Sequence, residues 1–169
     1  HRGTLPVEHR DALDDWVFGC DVCQQVCPWN QRFAQPQCDP DFAPSGSLPY
    51  PQAGDILSLS QVEFSREFRG SALKRAKRRG LLRNAAVVLG NGSESTAVPY
   101  LQGALCGDHD PVVRGHAAWA LARCSADNVQ SILLSALESE KDQVVLDEIE
   151  AALVVLGAVR ELESPKAAE

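Results

Sequence analysis

The chain has 169 residues, of which 44% are hydrophobic and 23% are charged, a composition that indicates a folded protein and excludes a disordered one. Its formal net charge of −7 argues against a surface that attracts nucleic acid as a whole. No apolar run approaches the length of a membrane span, and the first residues lack a signal-peptide pattern. We therefore expect neither a membrane nor DNA as a partner.

The cysteines indicate a compartment. Three of the six lie close together as soft metal ligands, so a reducing cytosol fits better than a disulfide scaffold, and we expect a cytoplasmic protein. The chain begins at His1 and contains no methionine, which favours a piece of a longer polypeptide. Residues 1–15 are predicted to form a connector, with a short helix from Glu8 to Trp16.

The run from Cys20 to Pro28 follows, with Cys20, Cys23 and Cys27 in the spacing C-x2-C-x3-C-P. Bacterial ferredoxins hold [4Fe–4S] clusters with C-x2-C-x2-C-x3-C-P, and Val17 stands where the first of those four thiols would be. In two-cluster ferredoxins the cysteine before proline ligates the other cluster. The motif therefore predicts that Cys20 and Cys23 serve one cluster and Cys27 a second, neither of them complete.

Two other interpretations of these thiols stay open. The same three cysteines could close a single four-thiolate site with Cys38, around zinc or around one cluster. The cysteines could also be reduced thiols that hold no metal. From residue 31 to residue 54 the chain contains five prolines and few periodic apolar residues, which predicts a linker at 36–56.

Helices are predicted after the linker. Ser60 and Glu63 have the spacing of a capping box, which should begin a helix through Phe68. A second short helix is expected from Ser71 to Arg79, ended by Gly80, and a third from Leu81 to Gly92.

The second half of the chain repeats itself. Residues 82–89 are similar to residues 113–121 and, more weakly, to residues 143–153, at a spacing of about 31 residues that is typical of helical-hairpin solenoids. Further helices are predicted between these copies, at Thr96–Leu105 and Asn128–Leu137. Alternating antiparallel helices should then stack so that each hairpin buries its neighbour's apolar face.

Charge is segregated along the chain. Eight lysines or arginines lie between Arg66 and Arg83, against the single acid Glu67. Such a cluster is either a solvated helix face or a surface for an anion, and phosphate binding there would weaken steeply with salt. In the repeats, Arg114 is expected to pair with Asp108 or Asp110, and His116 and Trp119 are expected to pack rather than to do chemistry.

Three stretches carry a family resemblance: FGCDVCQQVCPWN at 18–30, FRGSALKR at 68–75 and LRNAAVVLGN at 82–91. Together they resemble the epoxyqueuosine reductase family over roughly residues 1–125. The resemblance implies a cobalamin-dependent enzyme with two [4Fe–4S] clusters, which reduces epoxyqueuosine to queuosine in the anticodon loop of tRNA. It also implies that the catalytic acid and the cobalamin domain lie upstream, so no catalytic residue is expected here and this chain alone should be inactive, with incomplete clusters.

The resemblance also assigns roles to residues. It implies that Cys20 and Cys23 bind the cluster nearer the cobalamin, that Cys27 completes the other cluster, and that Asp21 touches the corrin edge. It implies that tRNA-backbone contacts come from the basic residues Lys74, Arg75, Lys77, Arg78, Arg79 and Arg83.

The expected fold is mainly α, with HEAT-like helical-hairpin repeats after a partial ferredoxin-like iron–sulfur segment. The predicted domains are the iron–sulfur module at 1–35, the linker at 36–56, the repeats at 57–160 and a polar tail at 161–169. Two rival functions remain: a helical-repeat binding scaffold with a structural cysteine–metal site, and a generic ferredoxin-type electron-transfer subunit.

Overall fold

The computed structural model describes residues 1–35 and 51–163, with side chains as far as residue 157, and its regular elements there are all helical. The α-helices are α1 (Val22–Gln25), α2 (Pro28–Phe33), α3 (Ala53–Leu57), α4 (Gln61–Glu67), α5 (Lys77–Gly92), α6 (Val98–Gly107), α7 (Pro111–Leu121), α8 (Val129–Ser139) and α9 (Gln143–Glu163). Short 3-10 helices lie at Val7–His9, Asp11–Leu13, Ala72–Ala76 and Ser95–Ala97. The predicted mainly α fold is confirmed.

Helices α3 to α9 form a two-layered array, which we call the helical array. Helices α5, α7 and α9 lie side by side in one layer, and α3, α6 and α8 pack against them in the other. The core between the layers is apolar and includes the fully buried Leu82, Leu101, Val113, Leu133 and Ile149. Each helix pair therefore covers the apolar face of the next, as the repeat pattern predicts.

Close packing inside the array depends on small residues. A Cβ atom at Gly90 of α5 would lie 2.8 Å from the Trp119 ring and 2.9 Å from the Ala120 Cα atom of α7. The two helices thus approach more closely than any side chain at position 90 would allow.

The predicted start of α4 is confirmed. The Ser60 hydroxyl accepts a hydrogen bond from the Glu63 amide at 3.2 Å, and the Glu63 carboxylate accepts one from the Ser60 amide at 2.8 Å. These two bonds are a capping box, and they satisfy donors that the first turn of a helix leaves free.

The predicted boundary at Gly80 is wrong. Helix α5 begins at Lys77 and continues through Gly80, which is buried inside it. The break between the 3-10 helix Ala72–Ala76 and α5 lies at Lys77 instead, whose φ of 57° is in the region that favours glycine. Glycine favours the end of a helix because it readily takes that left-handed conformation, and Gly80 does not take it.

The end of the predicted linker is also helical. Helix α3 begins with a capping box between Gln52 and Asp55, and it buries Ile56 and Leu57 against the array. Residues 53–56 therefore belong to the array, and the first part of the linker, 36–50, lies outside the described residues, as does the tail from residue 164.

Two further segments precede the array. The N-terminal segment, residues 1–17, contributes its buried side chains to the layer of α5, α7 and α9, and its predicted helix from Glu8 is reduced to two 3-10 turns. The thiol segment, residues 18–35, holds α1 and α2 and has no buried residue. No ferredoxin-like unit is visible in the described residues.

Candidate functional site

Arg10 fastens the N-terminal segment to the array. Its guanidinium donates to the Glu148 carboxylate of α9 through both terminal nitrogens, one of them at 2.9 Å, and to the Leu5 carbonyl at 2.9 Å. The Trp119 ring lies 5.1 Å from the Arg10 guanidinium carbon and 4.9 Å from that of Arg123. Arg10 is only 1% exposed, so this is a buried charge with its partners provided.

His116 of α7 makes a second attachment. The Leu5 amide, which can only donate, gives its hydrogen to Nε2 of His116 at 3.0 Å, so the ring hydrogen must lie on Nδ1, which donates to the Val112 carbonyl at 2.7 Å. Burial lowers the pKa of His116 to about 4, because the charged imidazolium would lose its hydration. The imidazole is thus a neutral structural group, as expected from the sequence.

Helix α5 holds the backbone of the same segment with polar side chains. Nδ2 of Asn84 donates to the Val17 carbonyl at 2.8 Å, and Nδ2 of Asn91 donates to the Arg10 carbonyl at 3.0 Å and to the Asp14 carbonyl at 3.1 Å. The attachment at Val17 lies one residue before the start of the thiol segment. The array therefore fixes the point from which the cysteines project.

The thiols themselves lie at the surface. Cys20 and Cys23 are exposed, Cys27 is half-buried, and none of the three is in a disulfide. Cys27 directly precedes α2, whose first residue is Pro28, a residue suited to that position because it has no amide hydrogen to satisfy. Asp21 lies exposed at the start of α1, where its carbonyl accepts from the first turn.

Two amide side chains of α2 hold the turn of α1. Asn30 donates to the Gln24 carbonyl at 3.2 Å and to its side-chain oxygen at 2.6 Å, and Gln31 donates to the Gln25 carbonyl at 2.8 Å. Trp29 and Phe33 stack on each other at 5.3 Å but are 71% and 54% exposed. Trp29 therefore does not fill a small core beside the cysteines.

No three cysteine, histidine, aspartate or glutamate side chains in the described part of the chain come together as ligands of one metal ion. Cys20, Cys23 and Cys27 therefore do not form three corners of a single closed site. Cys38, the fourth thiol of the alternative single site, lies outside the described residues.

The structure divides the basic cluster into two groups. Arg78 is buried, with Nε donating to the Leu59 carbonyl at 2.7 Å and its terminal nitrogens to the Asp108 carboxylate. Arg83 is buried as well, and Nη1 donates to the Gly3 carbonyl at 2.7 Å. The structure thus removes both guanidiniums from the set that could contact RNA, because protein acceptors already occupy their donors.

The other cluster residues lie at the surface. Lys74, Arg75 and Lys77 are exposed, and no ion pair with a described acid engages any of them. Arg79 is exposed too, but its Nε lies 2.5 Å from the Asp110 carboxylate. These four residues remain available to an anion, with Arg79 already partly neutralised.

The acids expected to pair with Arg114 pair with other residues. Although burial acts to raise the pKa of Asp108, hydrogen bonds from Arg78 and from the Asp110 amide hold it below its ordinary value. Arg114 instead donates to the Glu140 carboxylate at 2.7 and 2.9 Å, and to the backbone carbonyl of Asp108. That partnership, led by the Arg114 hydrogen bond, lowers the pKa of Glu140 to about 2.

Sequence reasoning missed residues that lie far away in the chain. Arg2 and His109 line a cavity together with Arg75 and Lys77. Nothing in the local sequence marks Arg2, which is an isolated arginine more than sixty residues before the cluster. His109 lies between Asp108 and Asp110, directly before α7, a position that gave no functional signal in the sequence.

Comparison with known protein families identifies the fold. Residues 67–154 match the family model described as HEAT repeats, which is more than half of the chain. The chain belongs to the HEAT-repeat proteins.

Several relatives of the chain are epoxyqueuosine reductases, which confirms the family resemblance. The chain is 34% identical to the epoxyqueuosine reductase of Bacillus cereus over 160 residues, 95% of this chain and 42% of that protein. It is 42% identical to that of Pseudomonas aeruginosa over 123 residues, 73% of this chain and 34% of that protein. A crystal structure of epoxyqueuosine reductase with an epoxyqueuosine-modified tRNA-Tyr stem loop superimposes with a TM-score of 0.82 at 31% identity, covering 93% of this chain and 42% of that one.

The chain thus spans less than half the length of these relatives. Across the described residues, no helix has both the length and the apolar character needed to cross a membrane.

Proposed function

We propose that this chain is the electron-relay and tRNA-holding part of an epoxyqueuosine reductase, a cytoplasmic enzyme that reduces epoxyqueuosine to queuosine in tRNA. The observation that carries the proposal is the thiol segment: three cysteines without disulfides, in the C-x2-C-x3-C-P spacing, project from a HEAT array related to that family. Free thiols of this kind fit a reducing compartment.

The residues fit iron–sulfur ligation in chemistry but not in number. Thiolates are the ligands that such clusters require, and Cys20, Cys23 and Cys27 are accessible to one. Because the described residues bring no three ligands together, each of two [4Fe–4S] clusters would draw its remaining ligands from elsewhere. Cys20 and Cys23 would hold one cluster and Cys27 the other, with Asp21 beside the corrin.

When bound, the clusters and cobalamin supply the electron-transfer and reductive chemistry. The part of this chain is to position the thiols. The attachments of the N-terminal segment through Arg10, His116 and Asn84 set where the thiol segment leaves the array.

The exposed basic residues support tRNA as the partner. Lys74, Arg75, Lys77 and Arg79 lie on one short stretch of surface at the start of α5, and a solved relative contains a tRNA stem loop. Contacts of this kind with phosphates read the shape and charge of RNA and leave base recognition to other residues.

The test is a cysteine substitution in the full polypeptide that carries this chain, purified without oxygen. Cys23→Ser should lower iron and acid-labile sulfide by about half and abolish the conversion of epoxyqueuosine to queuosine in tRNA, since a hydroxyl replaces one thiolate ligand. Cys106→Ser is the matched control, because Cys106 is an exposed cysteine on α6 outside the motif, and both readouts should be unchanged.

Three results would contradict the proposal. They are full activity in Cys23→Ser, zinc in place of iron in the parent protein, and a parent protein that reduces a protein partner but never binds tRNA. The second result would favour the scaffold interpretation, and the third would favour the generic electron-transfer subunit.

A further inference from the structure

A cavity of about 290 Å³ opens between the N-terminal segment and the array. Four separate parts of the chain build it, and three of them are Arg2 of the N-terminal segment, the turn from Arg75 to Gly80, and the loop with His109 and Asp110. Gln61 at the start of α4 completes the wall. The cavity is therefore a tertiary feature and not one face of a single helix.

The lining has an excess of positive charge. Five of its residues are lysine or arginine, and Asp110 is its one acid. Asp108 forms an ion pair with Arg78, and Asp110 forms one with Arg79 and neutralises it in part. Arg2, Arg75 and Lys77 remain without an acidic partner among the described residues.

Buried bonds hold the walls of this cavity. The Arg78 guanidinium joins the Leu59 carbonyl, before α4, to Asp108, before α7. The Asp110 carboxylate accepts from Arg79 and also from the Val112 amide at 3.0 Å, so it caps α7 while it fixes Arg79. The ion pairs of Arg78 and Arg79 thus connect the walls of the cavity. The three cations without an acidic partner in the described part of the chain, Arg2, Arg75 and Lys77, line the concave surface between these walls.

We infer that this cavity holds one phosphodiester group of the tRNA backbone, bound by Arg2, Arg75 and Lys77. A guanidinium donates two parallel hydrogen bonds to a phosphate, whereas an ammonium acts as a compact charge, so two arginines and one lysine suit such a group. The inference rests on the proposed tRNA binding and names the place where a phosphate docks. Because Arg2 belongs to the N-terminal segment, the bound phosphate would bridge that segment to the array.

The experiment measures binding of an unmodified anticodon stem-loop RNA to the full polypeptide over a range of salt concentrations. Arg75→Gln and Lys77→Gly should each weaken binding about tenfold and reduce the slope of log K against log salt by about one. Glycine is chosen at position 77 because the φ of 57° suits it, so the variant should fold. Arg69→Gln removes an exposed charge outside the cavity and should change the affinity less than twofold.

Inorganic phosphate, added at constant ionic strength, separates the two sources of a phosphate group. It should compete with the RNA in the parent protein and not in Arg75→Gln. Phosphate that stabilises the parent protein without displacing RNA would overturn the inference, since the cavity would then be a site for a free anion.

Failure of the inference and failure of the proposed function give different results. Parent-like RNA binding in both cavity variants, or an equal loss in Arg69→Gln, would overturn the cavity assignment while tRNA binding stands. A parent protein that binds no RNA would overturn both.

Discussion

The N-terminal segment and the thiol segment are neighbours in sequence, yet only the first of them is packed into the array. The N-terminal segment buries Leu5 and Arg10 and exchanges hydrogen bonds with α5, α7 and α9. The thiol segment buries no residue, and the hydrogen bonds of Asn30 and Gln31 hold it to itself. The first segment is thus part of the folded core, whereas the second is a surface element carried by it.

The two segments therefore have different roles, since the N-terminal segment contributes to stability and the thiol segment supplies the candidate ligands. The contacts between residues 1–17 and the array, which we call the joint, add to the stability of the array core, whereas the residues that supply thiolates contribute little to stability. Substitutions in the joint should therefore change the free energy of unfolding, and substitutions in the thiol segment should change what the protein binds. The predictions that follow test the two halves of this statement.

The largest effect is expected at the ion pair between Arg10 and Glu148. Glu148→Ala would leave a nearly fully buried guanidinium without its carboxylate, so we expect a loss of about 3–5 kcal/mol in the free energy of unfolding. Urea titration followed by circular dichroism measures that loss. The double variant Arg10→Met, Glu148→Met should recover much of it, because it leaves no unpaired charge behind.

Asp11→Ala is the control for that pair. Asp11 forms an ion pair with Arg123 at 3.2 Å in the same region, but its side chain is 73% exposed, so its removal should cost less than about 1 kcal/mol. A Glu148→Ala loss no larger than the Asp11→Ala loss would show that the N-terminal segment is not anchored by its buried charge.

The next effect concerns pH and His116. The pKa of this imidazole is about 4 in the folded protein and 6.5 in the unfolded chain, so between these values the unfolded state binds more protons. Stability should therefore fall as the pH is lowered from 6.5 to 4, by up to about 3 kcal/mol. His116→Gln, which keeps an acceptor for the Leu5 amide, should lose this pH dependence. Urea midpoints measured across that range test the prediction.

His9→Gln is the matched control, because His9 is an exposed histidine of the N-terminal segment itself. It should retain the pH dependence of the parent protein. A His116→Gln variant with the same slope as the parent would assign the acid sensitivity to other groups.

Local sequence was sufficient where local chemistry decides the structure. The capping box at Ser60 and the repeated apolar pattern of α5, α7 and α9 both followed from short patterns. The boundary at Gly80 was wrong because Gly80 does not take the left-handed conformation that makes glycine suitable for a helix end, and Lys77 takes the positive φ instead.

Distant pairing was the part that the sequence could not supply. Arg78 and Arg79 look like their basic neighbours until Asp108 and Asp110, some thirty residues on, are placed against them. Arg10 and Glu148 are 138 residues apart, and neither position carries a local signal. Which charges are free to meet a ligand is thus decided by tertiary contacts, and composition alone overestimated the set.

The smallest effect is expected in the thiol segment. Trp29→Ser and Phe33→Ser remove aromatic rings that are 71% and 54% exposed, so each should change the free energy of unfolding by less than about 0.5 kcal/mol. Leu5→Ala, an apolar substitution at a buried position of the N-terminal segment, should cost about 2 kcal/mol or more. Urea unfolding of the three variants under one set of conditions gives the comparison directly. A loss of 2 kcal/mol in Trp29→Ser would mean that this ring is covered when the protein is folded in solution, and the thiol segment would then belong to the core after all.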